Sequence, residues 1–118
     1  MMEQVTIYHN PRCSKSRQTL QLIRDHGNEP LVIDYLETPP DSTTLGKLID
    51  ALGCQVRELM RTGEKLYGEL NLGANELSRA ELIEAMVSHP ILIQRPIVAV
   101  AGQARIGRPP ELVLEILP

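Results

Sequence analysis

A chain of 118 residues, 42% hydrophobic, is long enough to bury one core and short for more than one domain. It has no Trp and no Phe, so that core must be aliphatic, built on Leu, Ile and Val. A net charge of −3 and a pI near 5.6 give no support for general nucleic-acid binding, and no apolar run approaches membrane-spanning length.

The N-terminus Met1-Met2-Glu3-Gln4 lacks the charged and apolar blocks of a secretory signal. The two cysteines, Cys13 and Cys54, form no CxxC pair, which argues against a zinc site or a disulfide framework. The expectation is a soluble cytoplasmic protein with reduced thiols, no bound metal and no membrane partner. Arginine outnumbers lysine nine to three. Guanidinium forks suit tetrahedral oxyanions, although composition alone does not assign that use.

Val5-Thr6-Ile7-Tyr8 alternates as a strand does. A helix is predicted from Ser14 to His26, with Leu20, Leu22 and Ile23 apolar and Gly27 as its stop. Leu31 to Tyr35 reads as a second strand, parallel to the first because one helix joins them. After Pro39-Pro40, Asp41 or Ser42 can cap a helix whose Leu45, Leu48, Ile49 and Leu52 share a face, and Gly53 ends it. Short helices are expected over Val56–Arg61 and Glu64–Leu70. Ser78-Arg79-Ala80-Glu81 is a capping box that opens a helix over Arg79–Ser88, with Pro90 just beyond it. Ile97–Val100 is a β-branched buried strand, Ala101-Gly102-Gln103 a turn, and Ala104–Ile106 a pairing strand. Pro109 and Pro110 open a last helix over Glu111–Leu117.

The chemistry concentrates at Cys13. It lies on the turn between the first strand and the first helix, where backbone N–H groups are unsatisfied and the helix dipole is positive. Both effects favour thiolate, the reactive form. The same N–H groups can hold an oxyanion. The flanking Arg12, Ser14, Lys15, Ser16 and Arg17 are polar or cationic, unlike the surroundings of a buried structural cysteine. Ser16 stands where a second CxxC thiol would be, so a resolving thiol has to come from elsewhere. Cys54, at a helix end, reads as a small packing residue. His9 would stabilise the thiolate as an imidazolium, or simply bond backbone at a strand end. Arg61, Arg95 and Arg108 are too far apart in sequence for spacing to bring them together.

The element order leaves a β-α-β plus β-β-α frame once the central helices are removed. That is the connectivity of thioredoxin and glutaredoxin, and Pro96, directly before Ile97, matches their cis-proline. The resemblance then becomes specific. Thr6-Ile7-Tyr8-His9-Asn10-Pro11-x-Cys13-x-x-Ser16-Arg17, Tyr35-Leu36-Glu37-Thr38-Pro39-Pro40, Arg57-x-Leu59-x-Arg61, His89-Pro90-Ile91-Leu92-Ile93-x-Arg95-Pro96-Ile97-Val98 and the stretch from Arg108-Pro109 to Pro118 occur in order over most of the chain. On these stretches the sequence resembles the glutaredoxin-coupled arsenate reductase family.

The resemblance implies an α/β, thioredoxin/glutaredoxin-like fold as a single domain over 1–118, with a helical insertion at about 41–90. It implies an arsenate reductase: Cys13 attacks arsenate, His9 helps lower the thiol pKa, and Arg61, Arg95 and Arg108 surround the anion. Nothing is bound as a cofactor; glutathione and glutaredoxin are external reductants. Two features depart from the reductases: Ser14-Lys15 where they carry small neutral residues, and an end at Pro118 where they continue into a charged tail. The chain looks like a shorter branch. Two rival readings are an Spx-like, non-enzymatic thiol regulator, which Ser16 in place of a second cysteine argues against, and a glutathione-dependent thiol reductase with another substrate.

Overall fold

Alternation in Val5–His9 gives β1 one wall of core residues, Val5 and Ile7, and their partners across the sheet are equally apolar. In the computed structural model, which describes residues 3–118, β1 is followed by α1 (Ser14–Asp25) and β2 (Leu31–Asp34). The chain returns through β3 (Ile97–Val100), β4 (Gln103–Ile106) and a 3₁₀ segment, Pro110–Glu115. The sheet order is β2-β1-β3-β4, parallel between β1 and β2 and antiparallel elsewhere. Register sets Val5 against Val100 and Ile7 against Val98. Ile23 from α1 and Val113 and Ile116 from the 3₁₀ segment pack on that wall.

The chain divides into two compact units. One runs to Thr38 and resumes at Arg95; the other is Pro39–Gln94. The second unit holds α2 (Ser42–Leu52), a 3₁₀ turn at Val56–Leu59, α3 (Lys65–Glu69), α4 (Arg79–Ser88) and a 3₁₀ turn at Pro90–Leu92. Its buried residues include Leu45, Ile49, Leu59, Leu82 and Met86. Arg79 ties α4 to α2 through the Gly46 carbonyl at 3.0 Å and Asp50 at 2.9 Å. Among the described residues, no helix is long and apolar enough to cross a membrane.

Local chemistry explains where the elements end. Gly27, at φ +82°, lets the Gly27 and Asn28 N–H groups bond Arg24 and Ile23 carbonyls and close α1. Tyr35, expected inside the second strand, lies beyond it: the Asp34 carboxylate takes the Leu36 N–H at 3.1 Å and turns the chain. Ala101 and Gly102 both have positive φ, so the hairpin loop has two residues and Gln103 already pairs with Val100. The expected helix over Val56–Arg61 stops at Leu59, because Met60 pairs with Ile93 and Arg61 donates to Leu92 O at 2.7 Å. The expected last helix is 3₁₀: six residues opened by two prolines do not sustain α-helical bonding. The Arg95–Pro96 peptide is cis, as the sequence predicts, and so is Arg108–Pro109.

The capping box of α4 is fully formed, with Ser78 Oγ accepting from Glu81 N at 3.2 Å and Glu81 Oε1 accepting from Ser78 N at 3.1 Å. Ser78→Ala should therefore lower unfolding free energy by about 1 kcal/mol in urea titrations.

Candidate active site

Cys13 is itself the N-cap of α1, with extended backbone and no side-chain bond of the usual capping kind. Its N–H donates to Asn10 O at 3.0 Å, and its carbonyl accepts from Arg17 N at 3.0 Å. The loop before it is held by Asn10, whose Oδ1 accepts the Arg12 N–H at 3.0 Å. It is also held from within the helix. Ser16, fully buried, takes the Asn10 N–H on its hydroxyl at 3.0 Å and bonds His9 Nδ1 at 2.6 Å.

Burial pushes the Cys13 thiol up. The Ser16 N–H, the Arg95 guanidinium as donor and as charge, and the Lys15 N–H outweigh it, so the pKa lies below its ordinary value. Arg108 Nη1 lies 4.0 Å from Cys13 Sγ and also donates to Arg95 O at 3.3 Å. Arg95 keeps two buried donors, Nε and Nη1, without a partner. Cys54 lies in the second unit, where burial and then the Glu58 charge raise its pKa. Arg61 is also carried by that unit, with Nη1 2.7 Å from Glu64. Of the three arginines singled out in the sequence, Arg95 and Arg108 are therefore gathered with Cys13 in the first unit.

The sequence leaves two roles open for His9, a cation or a strand-end hydrogen-bonding group. The geometry favours the second, with the Ser16 side chain as the partner in place of backbone. Burial lowers the His9 pKa, outweighing the opposing pull of Asp34, and so works against the charged ring. Its bond goes to Ser16, and through Ser16 it braces the loop. A buried strand end leaves an imidazole little reason to hold a proton.

Two supports have no sequence signal strong enough to find them. Tyr35 is buried; desolvation raises its pKa against the Arg95 charge and a hydrogen bond with the Asn10 side chain. Thr19, one turn beyond Lys15, donates to Lys15 O at 2.8 Å and faces Gly107. A Cβ on Gly107 would lie 2.6 Å from Thr19 Oγ1 and 2.9 Å from Pro96 Cγ. Only hydrogen fits there, which lets the segment after β4 that carries Arg108 close onto α1. Among the described residues no group of His, Cys, Asp or Glu could hold a metal ion.

The ArsC family profile matches residues 8–116 of this sequence. The chain belongs to the ArsC family. An uncharacterized protein of Escherichia coli K12, YfgD, is 59% identical over 118 residues, covering 99% of each chain. The arsenate reductase of the same organism is 50% identical over 117 residues, 99% of this chain and 83% of the reductase. The structure of an arsenate reductase from Vibrio cholerae superposes with a TM-score of 0.97 at 56% identity, over 99% of this chain and all of that one. The α/β fold with its mixed four-stranded sheet is accordingly the thioredoxin-like fold of ArsC proteins.

Two measurements check this geometry. Alkylation of Cys13 followed against pH should have its midpoint below the free-thiol value of about 8.5, and that of Cys54 should lie above it. Gly107→Ala should cost about 1–3 kcal/mol in stability and raise the Cys13 midpoint as Arg108 is displaced. Adding Thr19→Ala, which removes both nearest Thr19 atoms, should restore part of each loss.

Proposed function

We propose that this chain reduces arsenate to arsenite through the Cys13 thiolate, with glutathione and glutaredoxin as external reductants. The observation that carries this reading is the Arg95 guanidinium. Arg95 is half-buried, and two guanidinium donors shut off from water without a partner are costly unless an acceptor arrives. The thiolate answers its charge but offers few acceptor sites; a tetrahedral oxyanion supplies several in the geometry a guanidinium fork prefers.

The steps balance. The thiolate attacks As(V), an As–S bond forms, and one arsenate oxygen leaves as water after taking up protons. An outside thiolate then bonds to the Cys13 sulfur. The As–S bond breaks with its electron pair left on arsenic, giving As(III) and a mixed disulfide. Each sulfur has lost one electron, and arsenic has gained two. A further thiol, with glutaredoxin as carrier, reduces the mixed disulfide and returns Cys13.

In this scheme Arg95 and Arg108 offset the repulsion between thiolate and anion, and the amides at the start of α1 add donors. His9 is a positioning residue that acts through Ser16. Arg61 enters as a third arginine on family resemblance. Plain thiol–disulfide exchange, the rival enzymatic reading, has no comparable need for guanidinium beside the nucleophile.

Arsenate turnover with glutathione and glutaredoxin should be present in the wild type and lost in Cys13→Ser. Arg95→Lys and Arg108→Lys keep charge but lose the fork, so each should lower turnover roughly ten- to a hundredfold. Arg61→Lys tests the third arginine in the same assay. Phosphate or sulfate should compete with arsenate. Wild-type protein that turns over no arsenate with any thiol donor would sink the reading.

A further inference from the structure

The proposed reaction needs a thiol from outside, because the Cys13 loop contains no second sulfur. A cavity of about 240 Å³ opens beside that loop, lined by Asn10, Pro11, Arg12, Asp34, Leu36 and Glu37. Pro11 and Arg12 immediately precede the nucleophile, and the other wall is the turn that ends β2. The cavity is small for a whole drug-sized ligand and adequate for an amino-acid-sized headgroup.

Its charges are mixed and uncommitted. Arg12 forms no ion pair with Asp34 or Glu37, although all three line the same space. The Arg12 N–H donates to the Asn10 side chain at 3.0 Å, which anchors the Arg12 backbone beside the cavity. Asp34 uses Oδ1 to receive the Leu36 N–H. That bond fixes the carboxylate in place while its other oxygen remains available. Leu36, 41% exposed, offers an apolar surface between the charges. A purely anionic ligand would be repelled by the two carboxylates, and a purely cationic one by Arg12. A zwitterion satisfies both sides.

We propose that this cavity docks the outside thiol, and that its ligand is a small amino-acid-type thiol bearing both an ammonium and a carboxylate group. Asp34 and Glu37 receive the ammonium and Arg12 the carboxylate, while the sulfur is carried along the loop toward Cys13. The inference rests on the need for an external thiol in the proposed function, and its test uses no arsenate.

The probe is glutathione disulfide. The Cys13 thiolate attacks one sulfur, the disulfide breaks, a Cys13–glutathione bond forms and glutathione thiolate leaves. The rate is read by mass spectrometry, beside neutral hydroxyethyl disulfide and dianionic dithiodipropionate. Glutathione disulfide should react faster than either. Arg12→Gln and Glu37→Gln should each slow it about three- to fivefold, the size expected of one exposed charge contact, and leave hydroxyethyl disulfide unchanged. The Glu37 arm is decisive. Glutathione disulfide is net negative, so simple field effects require Glu37→Gln to accelerate it; a docking contact requires the reverse. An unchanged or faster reaction in Glu37→Gln overturns the proposal, as does an equal fall with the neutral disulfide. Loss of arsenate turnover alongside an intact exchange pattern would remove the proposed reaction and leave this site standing.

Discussion

A sulfur occupies the position where a helix ordinarily receives an oxygen. Two helices of this chain show the usual arrangement: α2 is closed by the Asp41 carboxylate on the Thr44 N–H, and α4 by Ser78. Helix α1 begins at Cys13 with no such bond. Its first amides stay available, and the Ser16 and Lys15 N–H groups become donors to the thiolate. Stability given up at one helix start becomes acidity of the nucleophile and room for an anion. The remaining loop bonds then keep an uncapped helix start in place. Asn10 binds on three sides, through its N–H, its carbonyl and its side chain.

The charge pattern follows from that arrangement. Arg95 and Arg108 already bring two permanent cations to Cys13, and neither can lose its proton in the physiological range. A protonated His9 would add a third, buried at the strand end. Burial instead lowers the pKa of the ring, and its bond with Ser16 makes it a brace for the loop. The thiolate then depends on groups whose charge does not vary with pH, so its acidity is set by geometry. Gly107 belongs to the same geometry: the missing side chain sets how closely the Arg108 segment approaches Thr19.

Much of this was legible in the residues. Alternation in Val5–Tyr8, the apolar spacing from Leu45 to Leu52 and the Ser78–Glu81 box each carry their own physical signal, and each element is present. Cys13 was legible because cationic neighbours at a helix start are unusual for a packing cysteine. What escaped depends on contacts distant in sequence. Nothing near His9 announces that Ser16 will fold back onto it, so its protonation state was not readable. The approach of Gly107 to Thr19 spans 88 positions and leaves no local pattern. Arg95 and Arg108 meet Cys13 through strand order, which the β-β-α ending implied, whereas the short terminal helix failed because two prolines and few residues favour 3₁₀ bonding.

Ser16 has a consequence beyond catalysis. Where a second cysteine would stand, this loop has a buried hydroxyl that cannot capture an oxidised neighbour. If peroxide converts Cys13 to a sulfenic acid, the loop itself cannot condense it into a protective disulfide. Rescue before the irreversible sulfinic stage then depends on how quickly an outside thiol arrives. The protein's endurance under oxidative stress is thus tied to the thiol concentration around it.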